Sequence, residues 1–239
     1  MNIKIAGIQK LTLLDYPEKV ACTIFLQGCN LRCPFCHNSE IIDVRNKNYN
    51  QDYNKIIEFL SSRKGMLDGV CISGGEPTIY KDLPFFLKEI KELGYMVKLD
   101  TNGYNPSMLK ELIEKKLVDY IAMDIKNSPD KYGVTVGVDN LDISKLEESI
   151  LYLLESNIEY EFRTTVVAEF HNEEAIKDMG KWLFELANGK KINKLYLQPF
   201  IDRESVLQQG LHSPEDKSVQ KFKDILKEFV DLVKIRTEE

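Results

Sequence analysis

The chain has 239 residues, of which 43% are hydrophobic and 29% charged, a composition typical of a globular domain with a sizeable core. Its formal net charge of −6 argues against a nucleic-acid-binding protein that works by neutralising phosphates. No apolar run approaches the length of a membrane span, and the first residues lack the apolar stretch of a secretory signal. We therefore expect a cytoplasmic protein that binds neither nucleic acid nor membranes.

Strand-like and helix-like stretches alternate along the chain. Apolar runs enriched in β-branched residues predict strands over 20–26, 70–73, 96–100, 120–124, 159–167 and 194–198. Stretches with helical periodicity predict helices over 51–62, 83–93, 106–116, 143–156, 172–187 and, after the last strand, 214–234. Residues 127–142, which contain Pro129, Gly133 and Gly137, are predicted to form a long loop. A repeat of strand and helix is typical of an α/β protein whose parallel strands are joined by helices.

Polar residues mark the C-terminal ends of the predicted strands. They are Cys29, Gly74–Glu76, Asp100–Asn102, Asp124, Arg163–Thr164 and Gln198. In a parallel α/β fold these ends meet on one face, where active sites are built. A doubly wound sheet would concentrate polar groups at one switch point, so their spread over six strands favours a partial (β/α)6 TIM-like barrel. We expect one domain over 1–239, with an N-terminal extension or hairpin (1–19), a barrel core (20–200) and a C-terminal loop and helix (201–239).

Three cysteines, Cys29, Cys33 and Cys36, lie close together just after the first predicted strand. Thiolates at this spacing indicate a soft metal or an iron–sulfur cluster. A closed zinc site or an ordinary four-iron cluster takes four protein ligands, so three cysteines would leave one iron open. The alternative is a zinc site completed by His37, but His37 directly follows Cys36, which strains binding of both to one ion. The remaining cysteines, 22 and 71, lie in apolar runs and are predicted to be buried.

Two further motifs follow predicted strands. Adjacent glycines at Gly74 and Gly75 would let the backbone approach a ligand, and Glu76 would offer an acceptor, although such turns are often structural. Asp100–Asn102 and Met123–Lys126 combine acidic and amide groups in a pattern that strand-end capping alone could also explain.

Taken together, these motifs resemble those of the radical S-adenosylmethionine (SAM) enzyme superfamily. The cysteine spacing fits that superfamily, with Phe35 at its usual aromatic position, and Ile72–Pro77 resembles its glycine motif. Residues 99–103 and 123–126 are similar to those of glycyl-radical-enzyme activases. Leu11–Val20 is similar to the start of one activase branch, the anaerobic ribonucleoside-triphosphate reductase activating proteins, with Glu18 in place of the usual glycine.

The resemblance implies a [4Fe-4S] cluster on the three cysteines, SAM as cosubstrate, and formation of a glycyl radical on a partner glycyl-radical enzyme. It also implies a low-potential electron donor such as flavodoxin or ferredoxin, and no catalytic residue beyond the cluster and SAM. A monovalent cation near Asp100 and Asp124 is a further expectation. The residues expected to bind SAM are Phe35, His37, Gly74, Gly75, Glu76, Pro77, Asp100, Thr101, Asn102, Asp124, Lys126, Arg163 and Gln198.

Several alternatives stay open at this point. The partner could be pyruvate formate-lyase, or the chain could be a small-molecule radical SAM enzyme resembling 7-carboxy-7-deazaguanine synthase. Outside the superfamily, an electron-transfer iron–sulfur protein or a zinc-binding protein would also use clustered cysteines. Arg163 could form a structural ion pair and Gln198 could be an ordinary strand end. Ile201 stands where a related activase has a histidine, which puts the contact of Gln198 with the SAM ribose in doubt.

Overall fold

The computed structural model describes residues 2–46, 49 and 51–237. The strands are β1 (Ile5–Thr12), β2 (Ala21–Leu26), β3 (Gly69–Gly74), β4 (Met96–Thr101), β5 (Tyr120–Asp124), β6 (Glu159–Val166), β7 (Ile192–Pro199) and β8 (Val230–Ile235). The helices are α1 (Tyr53–Ser62), α2 (Leu83–Glu92), α3 (Pro106–Glu114), α4 (Pro129–Val136), α5 (Ile143–Glu155), α6 (Glu173–Leu186) and α7 (Asp216–Leu226). Each predicted strand, and each predicted helix before residue 190, is present within two residues of its expected limits.

The chain divides into two compact units. The N-terminal unit comprises Met1–Asn30 and Glu40–Ala122, and the C-terminal unit comprises Leu31–Ser39 and Met123–Glu239. In the N-terminal unit β1 pairs antiparallel with β2, while β2–β3 and β3–β4 are parallel pairs. In the C-terminal unit β6–β7 and β7–β8 are parallel pairs. Among the described residues, none of the helices has both the length and the apolar character needed to cross a membrane.

The helix predicted over 214–234 is wrong in its second half. Helix α7 ends at Leu226, and β8 then pairs with β7, with Val230 opposite Ile192 and Ile235 opposite Leu197. The short apolar sequence of β8 suits either a helix or a strand when periodicity alone is considered. Pairing with β7 satisfies the backbone hydrogen bonds of β8, and this tertiary contact therefore favours the strand over the helix.

The long loop predicted over 127–142 is also wrong, because it contains helix α4. Pro129 stands in the first turn of this helix, where its missing N–H costs nothing. Gly137 ends the helix in the left-handed conformation, with φ 65°. The residues that were interpreted as turn signals are therefore the start and stop signals of a short helix.

The segment before β2 forms a hairpin with it. The hydroxyl oxygen of Thr12 accepts hydrogen bonds from the backbone N–H groups of Leu14 and Asp15, both at 3.2 Å. Tyr16 is buried against Ala21 and Tyr120. The sequence from Leu11 to Val20 thus folds into an ordered turn at the start of β2.

The Tyr16 hydroxyl gives the first testable prediction. Within the described part of the chain this buried oxygen has no hydrogen-bond partner, and burial, with the nearby Asp119 and Cys71, raises its pKa. Since an unsatisfied buried hydroxyl is unfavourable, Tyr16→Phe should raise the free energy of unfolding by about 1 kcal/mol, as measured by urea denaturation.

The control is Tyr95→Phe. The Tyr95 hydroxyl is also buried but donates to the carbonyl oxygen of Leu60 at 2.7 Å, so its removal should lower the free energy of unfolding by about 1 kcal/mol. Equal destabilisation by the two substitutions would show that the Tyr16 hydroxyl has a partner after all.

Candidate functional site

In the N-terminal unit, backbone hydrogen bonds fix the start of the cysteine loop, which we define as residues 27–38. The N–H groups of Gly75 and Glu76, just after β3, donate to the carbonyl oxygens of Leu26 and Gly28 at 2.8 and 2.7 Å. The Cys29 N–H donates to the Ile42 carbonyl oxygen at 3.2 Å. The position of Cys29 is therefore set by the end of β3 and by the segment that follows the loop.

Gly74 and Gly75 are required by this close approach. A Cβ on Gly75 would lie 1.9 Å from the Gly28 carbonyl oxygen, and one on Gly74 would lie 2.3 Å from that of Leu26. Gly74 also has a φ of +120°, which other residues rarely adopt. The sequence predicted that these glycines allow the backbone to approach a ligand, and the structure shows that they allow it to approach the cysteine loop.

Glu76 joins the ends of β3 and β4. Its side chain is 1% exposed, and Oε1 accepts from the Thr101 hydroxyl while Oε2 accepts from the Asn102 N–H, both at 2.7 Å. It also accepts from the Thr78 N–H at the start of the short turn Pro77–Ile79. Burial raises the pKa of Glu76, whereas these hydrogen bonds from Thr78, Thr101 and Asn102 favour the ionised form. The carboxylate thus links Thr78, Thr101 and Asn102 within the protein.

Asn102 lies beside the first cysteine. Its Nδ2 donates to Asn30 Oδ1 at 2.8 Å and lies 4.0 Å from the Cys29 sulfur. The end of β4 therefore lies beside Cys29, and the expected contact of Asn102 with SAM stays a prediction.

Asp100 is held by a lysine that the sequence analysis did not single out. Lys98, 2% exposed, forms an ion pair with Asp100, and the Ser73 hydroxyl donates to the same carboxylate at 3.0 Å. The Lys98 Nζ also lies 3.8 Å from the Cys71 sulfur. The sequence did contain a signal for this ion pair, namely the spacing of Lys98 and Asp100. Residues i and i+2 of a strand share one face, and a lysine in an apolar strand needs a partner.

In the C-terminal unit, Cys33 and Cys36 lie in a turn in which the Cys36 N–H donates to the Cys33 carbonyl oxygen at 3.1 Å. Burial raises the pKa of the Cys33 thiol to about 11, although the Lys126 ammonium partly offsets this effect. Burial also raises the pKa of Cys36. Burial thus favours the protonated form of both thiols, whereas metal binding requires the thiolates and releases their protons.

Phe35 and His37 are anchored within the same unit. The Phe35 ring packs against Phe170 with centroids 5.9 Å apart, and the Lys126 Nζ lies 5.8 Å from its centroid. The His37 ring stacks on Phe200, and its Nε2 is hydrogen-bonded to the Ile201 carbonyl oxygen at 2.7 Å. This contact leaves only Nδ1 of His37 for a metal, which weakens the zinc alternative.

Asp124 is shared by two cations. The Lys126 Nζ lies 2.9 Å from one carboxylate oxygen, and the Arg163 Nε lies 2.9 Å from the other. Burial alone would lower the pKa of the Lys126 ammonium. The negative charge of Asp124 has the opposite effect, and the pKa of Lys126 is raised overall. Arg163 thus forms an ion pair within the protein, which was the alternative to a contact with SAM. Gln198 lies half-buried on β7, opposite Thr165.

These ion pairs bear on the expected monovalent cation. The resemblance implies this cation beside two acidic groups, and Asp100 and Asp124 each contact a cationic side chain of the protein. Charge neutralisation therefore does not require an added cation, and its presence stays a prediction.

The chemistry of the cysteine loop fits an iron–sulfur cluster. None of the five cysteines forms a disulfide, and the two outside the loop, Cys22 and Cys71, are fully buried as predicted. Within the described residues no group of three or more His, Cys, Asp or Glu side chains is arranged to hold one metal ion. A four-iron cluster does not need that arrangement, because each thiolate binds a different iron.

The comparisons with known proteins agree with this chemistry. Residues 23–183 match the model of the radical SAM superfamily. A Methanocaldococcus jannaschii protein provisionally named a glycyl-radical enzyme activating enzyme is 34% identical over 246 residues, covering 99% of this chain and 97% of that protein. The pyruvate formate-lyase 1-activating enzyme of Escherichia coli is 24% identical over 221 residues, covering 86% of this chain and 87% of that enzyme.

A solved structure shows the fold. The crystal structure of a domain of pyruvate-formate lyase-activating enzyme from Bacteroides vulgatus matches with a TM-score of 0.56 and 20% identity, covering 72% of this chain and 99% of that domain. Together with the parallel strand pairs, this likeness confirms the predicted α/β fold class.

Lys98 gives the second prediction. Lys98→Met should lower the free energy of unfolding by about 3–5 kcal/mol, because it removes the buried ammonium that contacts the partly buried Asp100 carboxylate. Adding Asp100→Asn should restore part of that loss. The matched control is Lys115→Met, which removes an exposed ion pair with Glu111 and should cost less than about 1 kcal/mol in the same urea titration. Equal losses at the two lysines would contradict the assignment of Lys98 as a buried counter-ion.

His171 gives the third prediction. Its Nδ1 accepts from the Val167 N–H at 3.0 Å and its Nε2 donates to the Lys126 carbonyl oxygen at 2.8 Å, which fits a neutral ring. Burial lowers its pKa below 6.5, so the unfolded chain binds the proton more readily than the folded protein does. Stability should therefore be full above that pH and fall as the pH drops below it. His171→Gln should flatten this part of the stability curve, measured by urea denaturation at several pH values, whereas an unchanged slope would contradict the prediction.

Proposed function

Because the chain belongs to the radical SAM superfamily, in the branch of glycyl-radical enzyme activating enzymes, we propose that it generates a glycyl radical on a partner enzyme in the cytoplasm. The observation that carries this proposal is the loop of three cysteines, none of them in a disulfide, with Cys29 fixed by the glycine motif and Asn102 beside it. We propose Cys29, Cys33 and Cys36 as the ligands of a [4Fe-4S] cluster, which leaves one iron for the amino and carboxylate groups of SAM.

When bound, the cluster and SAM supply one-electron reductive cleavage of SAM and, through it, removal of a hydrogen atom from a glycine of the partner. The side chains of this protein position and shield that chemistry. Glu76 and the two glycines before it fix the backbone at Cys29. The Lys126 ammonium favours the thiolate form of Cys33, and burial of Phe35 and Cys33 excludes water.

We further propose that the partner is an anaerobic ribonucleoside-triphosphate reductase. The support is the resemblance of Leu11–Val20 to the lead-in sequence of that activase branch. Glu18, which replaces the usual glycine, has a φ of +60°, a conformation that glycine adopts most readily. The turn therefore retains the backbone form that a glycine would favour, so the substitution does not argue against the branch. Flavodoxin or ferredoxin is the proposed electron donor.

The fourth prediction tests the chemistry. After anaerobic reconstitution with iron and sulfide, the protein given dithionite and SAM should form 5′-deoxyadenosine, measured by liquid chromatography. Cys33→Ala should abolish the product because it removes a cluster ligand. Cys22→Ala is the matched control and should retain it, because burial raises the pKa of the Cys22 thiol to about 12 and keeps that thiol unreactive. A fully loaded cluster that forms no 5′-deoxyadenosine would overturn the radical SAM mechanism for this chain.

The partner is tested by paramagnetic resonance. The reduced protein with SAM is mixed with an anaerobic ribonucleoside-triphosphate reductase or, separately, with pyruvate formate-lyase. A glycyl-radical signal on the reductase supports the proposal, and a signal only on the lyase shows that the partner is wrong. Formation of 5′-deoxyadenosine with no signal on either protein would favour a small-molecule substrate.

A further inference from the structure

The C-terminal end of α4 contacts the cysteine loop within the C-terminal unit. The last carbonyl groups of a helix have no partner inside the helix. Here the Val136 carbonyl oxygen accepts a hydrogen bond from the Arg32 N–H at 2.9 Å. Arg32 directly precedes Cys33, so the end of the helix holds the chain one residue before the second cysteine.

Gly137, the residue after α4, lies against the same part of the loop. A Cβ at this position would lie 2.4 Å from the Arg32 carbonyl oxygen and 3.1 Å from its carbonyl carbon. That carbonyl and the Cys33 N–H belong to one planar peptide unit. A side chain at Gly137 would therefore push on the peptide that leads into Cys33.

The loop has no regular structure that would absorb such a displacement. Between Leu26 and the short turn Ser39–Ile41 there is no helix or strand. On the other side of Cys33, the Gln208 N–H donates to the Pro34 carbonyl oxygen at 2.8 Å. Cys33 is thus held between two contacts, and the α4 contact is the one that depends on a missing side chain.

We propose that the end of α4 positions Cys33 for cluster binding, with Gly137 as the positioning residue that leaves room for the Arg32–Cys33 peptide. This inference rests on the proposed function, in that Cys33 is a cluster ligand. The competing explanation is that Gly137 serves only its own backbone, since a left-handed residue at a helix end is commonly glycine.

The chain offers a control that separates the two explanations. Gly189 also follows a helix, α6, and has a φ of +73°, but among the described residues a Cβ there would meet only the Phe184 ring at 3.9 Å, an ordinary contact. Gly189→Ala thus introduces the backbone strain without the collision. Gly137→Asn does the reverse, because asparagine tolerates the left-handed conformation but still carries a Cβ.

The experiment, our fifth prediction, measures the cluster itself. Parent protein, Gly137→Ala, Gly137→Asn and Gly189→Ala are reconstituted with iron and sulfide, and iron retention is followed during a chelator challenge. Both Gly137 variants should lose iron about 10-fold faster or more, as when residues that support metal ligands are replaced, and should show an altered paramagnetic resonance signal of the reduced cluster. Gly189→Ala should match the parent.

Two outcomes of this experiment would overturn the proposal. One is parent-like iron retention and resonance signal in a folded Gly137→Ala, with folding checked by thermal melting of the metal-free protein. The other is an equal loss of iron in Gly189→Ala, which would assign the effect to backbone strain.

A second measurement decides the case if the Gly137 variants do not fold. In the metal-free parent protein, hydrogen exchange of the Arg32 amide should be slow, because its bond to Val136 exists before a cluster binds. Fast exchange at Arg32 would overturn the proposal. A parent protein that binds no cluster would instead refute the proposed function, while the Arg32 amide could still be protected.

Discussion

The candidate site depends on backbone hydrogen bonds between the cysteine loop and other segments of the chain. These hydrogen bonds fix the position of the loop. Buried backbone groups need partners, and a loop without helix or strand must find them elsewhere. In the N-terminal unit the donors are Gly75 and Glu76 after β3. In the C-terminal unit the partners are the Val136 carbonyl and the Gln208 N–H. Contacts with the ends of strands and of one helix therefore fix the positions of the cysteines.

Paired charges are the second constraint on the site. An isolated buried charge is strongly unfavourable, so each acidic group near the cysteines needs an internal partner. Asp100 contacts Lys98, and Asp124 contacts Lys126 and Arg163. The acidic residues of the motifs are thus part of the protein's own network of ion pairs.

The sequence predicted the elements that are defined by their own composition. Strands such as β5 and helices such as α6 have buried faces that appear directly as apolar runs or periodicity. Strand β8 could not be predicted, because its conformation is decided by pairing with β7, a contact far away in the chain. For the same reason the sequence left two roles open for Arg163, since its partner Asp124 is known only from the folded structure. Lys98 was missed although its spacing from Asp100 carried a signal.

At the candidate site the sequence predicted the residue types but not their partners within the protein. The sequence singled out Glu76 as an acceptor for a ligand, which stays a prediction, and the structure shows that its oxygens accept hydrogen bonds from Thr101 and Asn102. His37 was considered as a metal ligand, but its ring is stacked on Phe200. Such roles could not be deduced from spacing, because the same polar atom can serve a cofactor or the protein, and only the neighbouring atoms decide between them.

The glycines show this difference between residue type and role in its simplest form. Gly74, Gly75 and Gly137 each leave space for a carbonyl oxygen of another segment: those of Leu26, Gly28 and Arg32. The Gly28 and Arg32 carbonyls each directly precede a cysteine of the loop, and the Leu26 carbonyl ends the strand that leads into it. In the sequence these glycines resemble ordinary turn residues, because the sequence does not indicate which atoms occupy the space that a side chain would fill. Small residues far from each other in the chain therefore set the geometry of the thiols, and a methyl group at any of them would disturb the site more than the loss of an exposed charge.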